Sequence, residues 1–477
     1  MIAYALLGFA TVVIVLWTLR IVRRTGDRTF LLGMVLFYIW TFMGAWFFIG
    51  DAMSGYQGFR VGLNYYYLMQ KMFPFELDRD YLIALGGYTA FTFLMLLIID
   101  LVTRSIRSIE PSARMPIAVD HRVLHGIAIL AGIVSFFLVL PLIKEALATD
   151  RPIYLVTRGT TYPGSTLHGL FNEVAAMAVL LGWAIRSTAR DGRWFTDRGQ
   201  RWPGWTYPAL LLVVSLYFMV LGNRHELFMA LVLGSMVFAL NARGRRPGRY
   251  VIYASVVVAQ LFITAKVREM TWKEVRGEEA IVEDDTPFGL PLIAHVPRKV
   301  TSPLARAGRK VISNELFCAH FSMYGVRRER VRPEPLLSMR YLFSSLVPRA
   351  IRSDRPPSSY DLYAKEAHLT PGQGYTIHPA AGFYLNGGWY ALFFGGALWG
   401  LLWGGLIRLR SKPAQRPLPI RLFMLMGTSC WVAYLPILLR DGPELFKGLV
   451  FEGILMPVGM VLVAAWSARS KAQNVPE

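Results

Sequence analysis

Long apolar runs, separated by arginine-rich or proline-rich stretches, recur along the whole chain. A bilayer core of about 30 Å is crossed by about 20 mostly apolar residues in a helix, which is the length of most of these runs. The pattern therefore predicts an all-α polytopic integral membrane protein with about 11 transmembrane helices. The predicted helices cover residues 2–19, 30–50, 81–102, 123–143, 169–185, 207–221, 227–242, 250–265, 389–407, 422–439 and 448–468.

The distribution of Arg and Lys sets the predicted orientation and tests the number of spans. The sixth and seventh runs are short, and reading them as one helix would reverse everything that follows. With eleven spans and the N-terminus outside, the inside connections carry 24 of the 51 basic residues and the short outside connections carry 9. Basic residues concentrate in cytoplasmic connections of membrane proteins. We therefore predict an outside N-terminus and an inside C-terminus, and we read the first run as a span, not a removed signal.

Composition agrees with a membrane protein and excludes several other classes. The chain is 54% hydrophobic and 17% charged, with a mean hydropathy of +0.39, whereas a soluble domain is nearer a quarter charged. Two cysteines exclude a disulfide-rich scaffold and a multi-Cys metal site, although one bridge between Cys318 and Cys430 stays open. The net charge of +20 comes mostly from arginines at helix ends, which argues against nucleic acid as a partner.

One extended segment outside the predicted spans, residues 266–386, lies between the eighth and ninth helices. We divide the chain into helices 1–8 (1–265), this large outer loop (266–386) and helices 9–11 with a short tail (387–477). Within the loop, the apolar spacing over 316–324 predicts an amphipathic helix on the outer membrane face. Because His320 falls on its apolar stripe, we interpret it as a packed histidine, not a ligand.

Arginines in a proline-bounded part of the loop are the first candidate binding groups. Arg349, Arg352 and Arg355 lie outside the predicted spans, where topology does not favour arginine, and a guanidinium fork can bind phosphate bidentately. The alternative is an exposed basic loop. Serines at 358 and 359 predict the cap of a helix over 360–369, which begins with Tyr360.

The end of the loop carries a histidine before a glycine-rich stretch that leads into the ninth helix. His378 is followed by Pro379, Gly382 and Tyr384, and an imidazole near neutral pH can accept a proton. We expect His378 to be a catalytic base at the membrane interface. The alternative is an interfacial histidine bonded to backbone.

Other polar residues stand at the predicted outer ends of helices, where ionisable groups are functional candidates. The further arginines are Arg158, Arg224 and Arg440, and the second-choice acid or base groups are Glu226, His225, Glu173 and Asp441. Each of these is equally consistent with an interfacial anchor.

Four features together resemble the Wzy-type polymerases of O-antigen and exopolysaccharide repeat units. They are the many-helix architecture with one late outer loop, the Gly-Asn-Arg turn at 222–224, the Val-Pro-Arg of 347–349 followed by Arg355-Pro356, and His378-Pro379 before a glycine-rich helix with Arg440-Asp441-Gly442 after the next. Arg355 stands where the family usually has Lys. O-antigen ligases share the architecture and a similar histidine-bearing loop.

The resemblance implies a function. It implies a GT-C-like membrane glycosyltransferase of the bacterial inner membrane with its active site facing the periplasm. Undecaprenyl-diphosphate-linked oligosaccharide would be both donor and acceptor, membrane lipids would surround the protein, and a chain-length regulator protein would be a further partner. The implied transfer inverts the anomeric centre.

The implied roles follow the candidate residues. The six arginines, with Tyr360 and Tyr384, would hold diphosphate and substrate, and His378 would be the base. We expect no metal or other cofactor, because the outer loop has no DxD-like acid pair and its acidic patch, residues 278–285, has no His or Asn between the acids. Two alternatives stay open: a ligase that transfers the glycan to a lipid A core, and a transporter without chemistry. The absence of an internal repeat argues against the transporter.

Overall fold

The protein is mainly helical over the part of the chain that its structure, a computed structural model, describes. The described residues are 2–54, 77–106, 119–150, 156, 165–190, 205–221, 255, 259–260, 263–264, 319–345, 354–367, 376–411 and 417–473. The helices are α1 (Ile2–Thr25), α2 (Arg28–Ser54), α3 (Arg79–Thr103), α4 (His121–Thr149), α5 (Ser165–Arg190), α6 (Thr206–Val220), α7 (Ser322–Arg328), α8 (Leu337–Ser345), α9 (Ser359–Glu366), α10 (Pro379–Leu385), α11 (Gly388–Arg410), α12 (Leu418–Asp441), a 3₁₀ turn (Pro443–Leu445), α13 (Phe446–Val450), a π turn (Phe451–Leu455) and α14 (Met456–Gln473).

The chain is a multi-pass α-helical membrane protein. Within the described ranges, 6 helices are long and apolar enough to cross a bilayer: Ile2–Thr25, Arg28–Trp46, Arg79–Thr103, His121–Thr149, Gly388–Arg410 and Pro443–Ser470. Large apolar side chains stand exposed on these helices, including Leu16, Phe137 and Phe394, as expected for surfaces that contact lipid.

The predicted spans correspond to observed helices wherever the structure describes them. Shorter apolar helices, Leu170–Gly182 and Ala209–Val220, lie at the fifth and sixth predicted spans, and α12 lies at the tenth. The seventh, 227–242, lies outside the described residues, as does most of the eighth. The total of eleven spans and the orientation of the chain in the membrane therefore stay predictions.

The helices form two compact units. Unit 1 comprises Met1–Ile109, Leu290–Ser411 and Leu435–Lys447, and unit 2 comprises Glu110–Gly289, Lys412–Tyr434 and Gly448–Glu477. In unit 2, α4 packs along α5. Ser135 of α4 donates to the Asn172 side chain of α5, and the Asp120 backbone N–H donates to the Ala464 carbonyl of α14 at 3.0 Å.

In unit 1, α11 packs tightly along α3 through glycines four residues apart. A Cβ atom added at Gly396 would lie 2.8 Å from the Phe91 carbonyl oxygen, and one at Gly400 would lie 2.6 Å from the Met95 carbonyl oxygen. Such small-residue spacing lets two membrane helices approach backbone to backbone. The glycine-rich sequence of α11 is therefore explained by packing against α3.

We expect Gly400→Ala to destabilise the protein by about 1–3 kcal/mol, as overpacking of a close contact does. The methyl group would meet helix backbone, which cannot move aside as a flexible side chain can. The matched control is Gly405→Ala, because a Cβ there has no atom within 4 Å. The melting temperature in detergent should fall for Gly400→Ala only; an equal response of both variants would contradict this packing.

Two ion pairs, one largely and one almost fully buried, lie at one end of unit 1. Arg24 contacts Asp100 at 2.6 Å, and Arg410 contacts Asp27 at 3.0 Å with both side chains of the latter pair nearly inaccessible. The sequence predicts that Arg24 and Arg410 lie in inside connections, and the structure brings both to the same end of the unit. Because α3 runs for about 30 Å from Tyr81 to Asp100, Tyr81 marks the opposite end.

The helix predicted over 316–324 differs from the expectation. Its described part is a 3₁₀ turn followed by α7, and residues 319–326 are all buried, so no polar face is exposed before the arginines at its C-terminal end. It packs on α3, where Tyr324 donates to Asp78 at 2.8 Å. A helix lying on the membrane surface would keep a polar face in water; this one is part of the protein interior.

Candidate functional site

The end of unit 1 that is marked by Tyr81 gathers three separate segments of the chain. The Ile377 backbone N–H donates to the Arg440 carbonyl at 2.6 Å, in an isolated parallel bridge that pairs Ile377 with Asp441. Gly442 follows with a φ of 89°, a conformation that favours glycine. A Cβ at Gly442 would lie 3.6 Å from the Ser359 hydroxyl oxygen. The structure thus brings the segments that bear Tyr360, His378 and Arg440 together.

Arg440 and Asp441 form an ion pair at the end of α12. The Nε of Arg440 lies 3.1 Å from an Asp441 carboxylate oxygen, and the side chains keep 31% and 34% of their surface exposed. A guanidinium in the last turn of a helix is also favoured by the helix dipole. The pair is therefore held in place and still accessible, as a group that binds an anionic ligand must be.

A buried carboxylate, Glu444, lies next to the end of α12, where a Cβ at Gly442 would be 3.2 Å from one of its oxygens. One of its oxygens accepts from the Ser338 hydroxyl at 2.6 Å and from the Ser359 backbone N–H at 3.0 Å, and the other accepts from the Ser359 hydroxyl at 2.9 Å. Only 9% of the residue is exposed. A carboxylate at this depth is stable because it accepts several hydrogen bonds. Sequence reasoning did not single out Glu444, whose only signal was its position three residues after Asp441.

Asn386 extends this network to the start of α11. Its side-chain NH₂ donates to the Ser338 hydroxyl and to the Gly382 carbonyl, both at 2.7 Å, while its side-chain oxygen accepts from the Ser338 backbone N–H at 2.6 Å. Lys447 donates to the Ser345 carbonyl at 2.7 Å. The network therefore fixes α8, α9 and the α10–α11 junction to the turn that carries Arg440.

His378 caps helix α10 and is completely buried. Its Nδ1 accepts from the Ala380 backbone N–H at 3.1 Å, so Nε2 carries the proton and donates to the Thr41 hydroxyl at 3.0 Å. Its backbone N–H donates to the Ser322 hydroxyl, and its ring meets that of Tyr88 edge-on at 4.8 Å. Both ring nitrogens thus contact protein groups, and the bond to the Ala380 N–H agrees with the alternative of a histidine bonded to backbone. The role of His378 as a base stays a prediction.

His320 belongs to the same buried layer, as its interpretation as a packed histidine required. Its Nδ1 donates to the Thr41 carbonyl at 2.6 Å, and its Nε2 accepts from the Tyr81 hydroxyl at 3.0 Å. His378 therefore bonds to the hydroxyl of Thr41, and His320 bonds to its backbone carbonyl. This layer fastens α7 and α10 to α2 and α3.

Burial keeps both histidines uncharged. It lowers the pKa of His320 to about 4, and burial together with the nearby His320 lowers the pKa of His378 well below its ordinary value. In the unfolded chain a histidine titrates near 6.5. The unfolded state therefore binds more protons than the folded state below about pH 6.5, and the stability of the fold is lost as pH falls from there towards 4.

We expect this loss to reach about 3 kcal/mol from His320 alone. Melting temperatures of the purified protein should fall between pH 6.5 and pH 4, and His320→Gln, which cannot titrate, should flatten that dependence. An identical pH profile for the variant would show that the buried imidazole is not its source.

The other described candidates are Arg355, Tyr360, Tyr384 and Glu173. Arg355 precedes α9 in an extended segment, Tyr360 stands in its first turn, and Tyr384 packs its ring edge-on against Trp389 at 5.4 Å. Glu173 belongs to unit 2, where it accepts from the Tyr434 hydroxyl at 3.4 Å. The remaining candidates lie outside the described residues: Arg158, Arg224, His225, Glu226, Arg349 and Arg352.

The predicted cap of the helix after the arginine segment is confirmed. Ser358 and Asp361 form a reciprocal capping box at the start of α9, with the Asp361 N–H donating to the Ser358 hydroxyl at 3.1 Å.

Over the residues that the structure describes, no three His, Cys, Asp or Glu side chains are grouped closely enough to bind a metal ion.

Comparison with known proteins identifies no relative. No family model, no curated protein and no solved structure matches the chain.

Proposed function

We propose that this protein is an integral-membrane glycosyltransferase that polymerises oligosaccharide repeat units carried on undecaprenyl diphosphate, in the outer leaflet of a bacterial inner membrane. The observation that carries the proposal is the accessible Arg440–Asp441 pair at one end of a membrane bundle, braced by the buried Glu444 network. A guanidinium so placed suits the diphosphate of a membrane-anchored substrate, at the level of the lipid headgroups.

The proposed reaction joins two lipid-linked chains. The bond between C1 of the donor's reducing-end sugar and the diphosphate oxygen breaks, and a bond forms between that C1 and an acceptor hydroxyl oxygen. The leaving diphosphate keeps the electron pair, and the hydroxyl proton passes to a base. Attack from the face opposite the diphosphate inverts the anomeric centre.

Arginine has the main role in this reaction, because negative charge develops on the leaving diphosphate. Fixed cationic donors stabilise such charge strongly where water is excluded. Arg440 is held by its ion pair with Asp441. Arg355 lies four residues before Ser359, whose hydroxyl donates a hydrogen bond to Glu444. Arg158, Arg224, Arg349 and Arg352 complete the proposed set, with Tyr360 and Tyr384 contacting the sugar.

The base needs a group that a substrate can reach. Asp441 is half-exposed beside Arg440, whereas His378 is buried with both nitrogens bonded. Among the described groups we therefore place the proton acceptor at Asp441, and Glu226 or His225 is the next choice. His378 would serve only if α10 moved away from Thr41.

Incubation of the purified protein in nanodiscs with one synthetic lipid-diphosphate-linked repeat unit tests this function. We expect a ladder of products that differ by one repeat. A single transfer that requires added lipid A core would identify a ligase, and unchanged substrate with movement between leaflets would identify a transporter. Either outcome would refute the polymerase.

A further inference from the structure

Helix α8 exposes large apolar side chains while it buries three serines. Its buried residues are Leu337, Ser338, Ser344 and Ser345, whereas Met339 and Phe343 are 50% and 65% exposed. Leu336, just before the helix, is 60% exposed. A helix in water normally turns its apolar residues to the protein and its polar residues outwards. The outer face of α8 therefore suits an apolar surrounding.

Hydrogen bonds on the inner face of α8 prevent the helix from turning its apolar residues inwards. Ser338 is bonded to Glu444 and to Asn386, and the carbonyl of Ser345 accepts from Lys447. These bonds fix the rotation of the helix about its axis. The described part of unit 1 therefore leaves these apolar side chains uncovered.

The start of α8 lies at the level where α11 begins its membrane span. The Glu334 backbone N–H donates to the Leu385 carbonyl at 2.8 Å, and the Ser338 N–H donates to the Asn386 side chain. The span of α11 starts two residues later, at Gly388. Tyr390 in its first turn is 90% exposed, as aromatic residues of the interfacial belt are. These bonds thus place the start of α8 beside the start of the α11 span, at the level of the interfacial belt.

Basic residues border this face. Arg332 is exposed in the segment before α8, and Arg340 is exposed on the helix itself, where it pairs with Glu334 at 3.1 Å. Anionic headgroups attract such arginines at the membrane surface. A second copy of the chain would present similar arginines to these, whereas phospholipid phosphate complements them.

We infer that α8 is embedded in the bilayer interface, with Leu336, Met339 and Phe343 among the acyl chains and Arg332 and Arg340 at the phosphates. This anchoring holds the Glu444 network, and the turn that carries Arg440, at headgroup level. It requires only that α11 crosses the membrane and does not depend on the proposed reaction.

Spin labels on the full-length protein in nanodiscs that contain phosphatidylglycerol test the inference. We would label Phe343→Cys and Met339→Cys in a Cys318→Ser parent and subtract the labelling of the buried Cys430. The matched control is Glu366→Cys, an exposed position on α9 of the same unit. The ratio of accessibility to oxygen over a water-soluble nickel chelate should be several-fold higher at 343 and 339 than at 366.

Two results would overturn the inference. Equal ratios at 343 and 366 would show that the face of α8 is in water. Shielding of 343 from both reagents would mean that a second copy covers it. Because neither readout uses catalysis, an inactive protein would leave this test intact.

Discussion

His378→Ala should destabilise the protein by roughly 3 kcal/mol, since it removes a buried side chain and a helix cap together. The Ala380 N–H and the Thr41 hydroxyl would each lose a partner in the interior. We therefore expect a strong reduction in the amount of folded protein and in its melting temperature. A catalytic base would behave differently: its loss would abolish turnover and leave stability nearly unchanged.

His378→Asn separates the two roles. An asparagine oxygen is a good acceptor for the free N–H groups at a helix start, but an amide does not accept a proton near neutral pH. If His378 is a cap, Asn should recover much of the stability, and activity per folded molecule should return with it. Stable Asn and Ala variants with no turnover would restore His378 as the base.

Arg440→Lys should reduce polymer formation about 100-fold or more, comparable to the loss of one fixed donor at a developing charge. Lysine keeps the positive charge but lacks the planar fork that binds two phosphate oxygens. Because the Arg440 side chain is partly exposed and does not fill the core, the melting temperature should hardly change. Initial rates of chain extension, per folded protein, measure the effect.

The matched control is Arg408→Lys, an exposed arginine in the last turn of α11, at the end of unit 1 that carries the Arg410–Asp27 pair. It should retain the parent rate. Near-normal polymerisation by Arg440→Lys would mean that Arg440 anchors the helix end and does not bind diphosphate. Equal losses in both variants would indicate a general effect of arginine on folding or insertion.

Features that depend on nearby residues could be predicted from the sequence. The apolar runs predicted the long helices that the structure describes, because a membrane span needs little beyond length and hydropathy. The cap at Ser358 followed from a local pattern, and the burial of His320 followed from its place on an apolar stripe.

Features that depend on residues far apart in the chain could not be predicted from the sequence. The environment of His378 is set by Thr41, 337 residues away in sequence. The neighbouring Pro379 and Gly382 indicated a closely approached backbone, but they carry no information about this distant partner. Glu444 gained its importance from serines 85 and 106 residues away. The helix at 322–328 is buried from Ser322 to Val326 because α3 and α10 pack on it, which its own periodicity does not reveal.

The most direct test of the central claim is the release of undecaprenyl diphosphate by the purified protein in nanodiscs. The reaction would contain only lipid-linked repeat units and a chelator of divalent metals. We predict one undecaprenyl diphosphate released for each new glycosidic linkage, at a rate that the chelator does not change. Failure to release the lipid diphosphate, with substrate intact and the protein folded, would contradict the account.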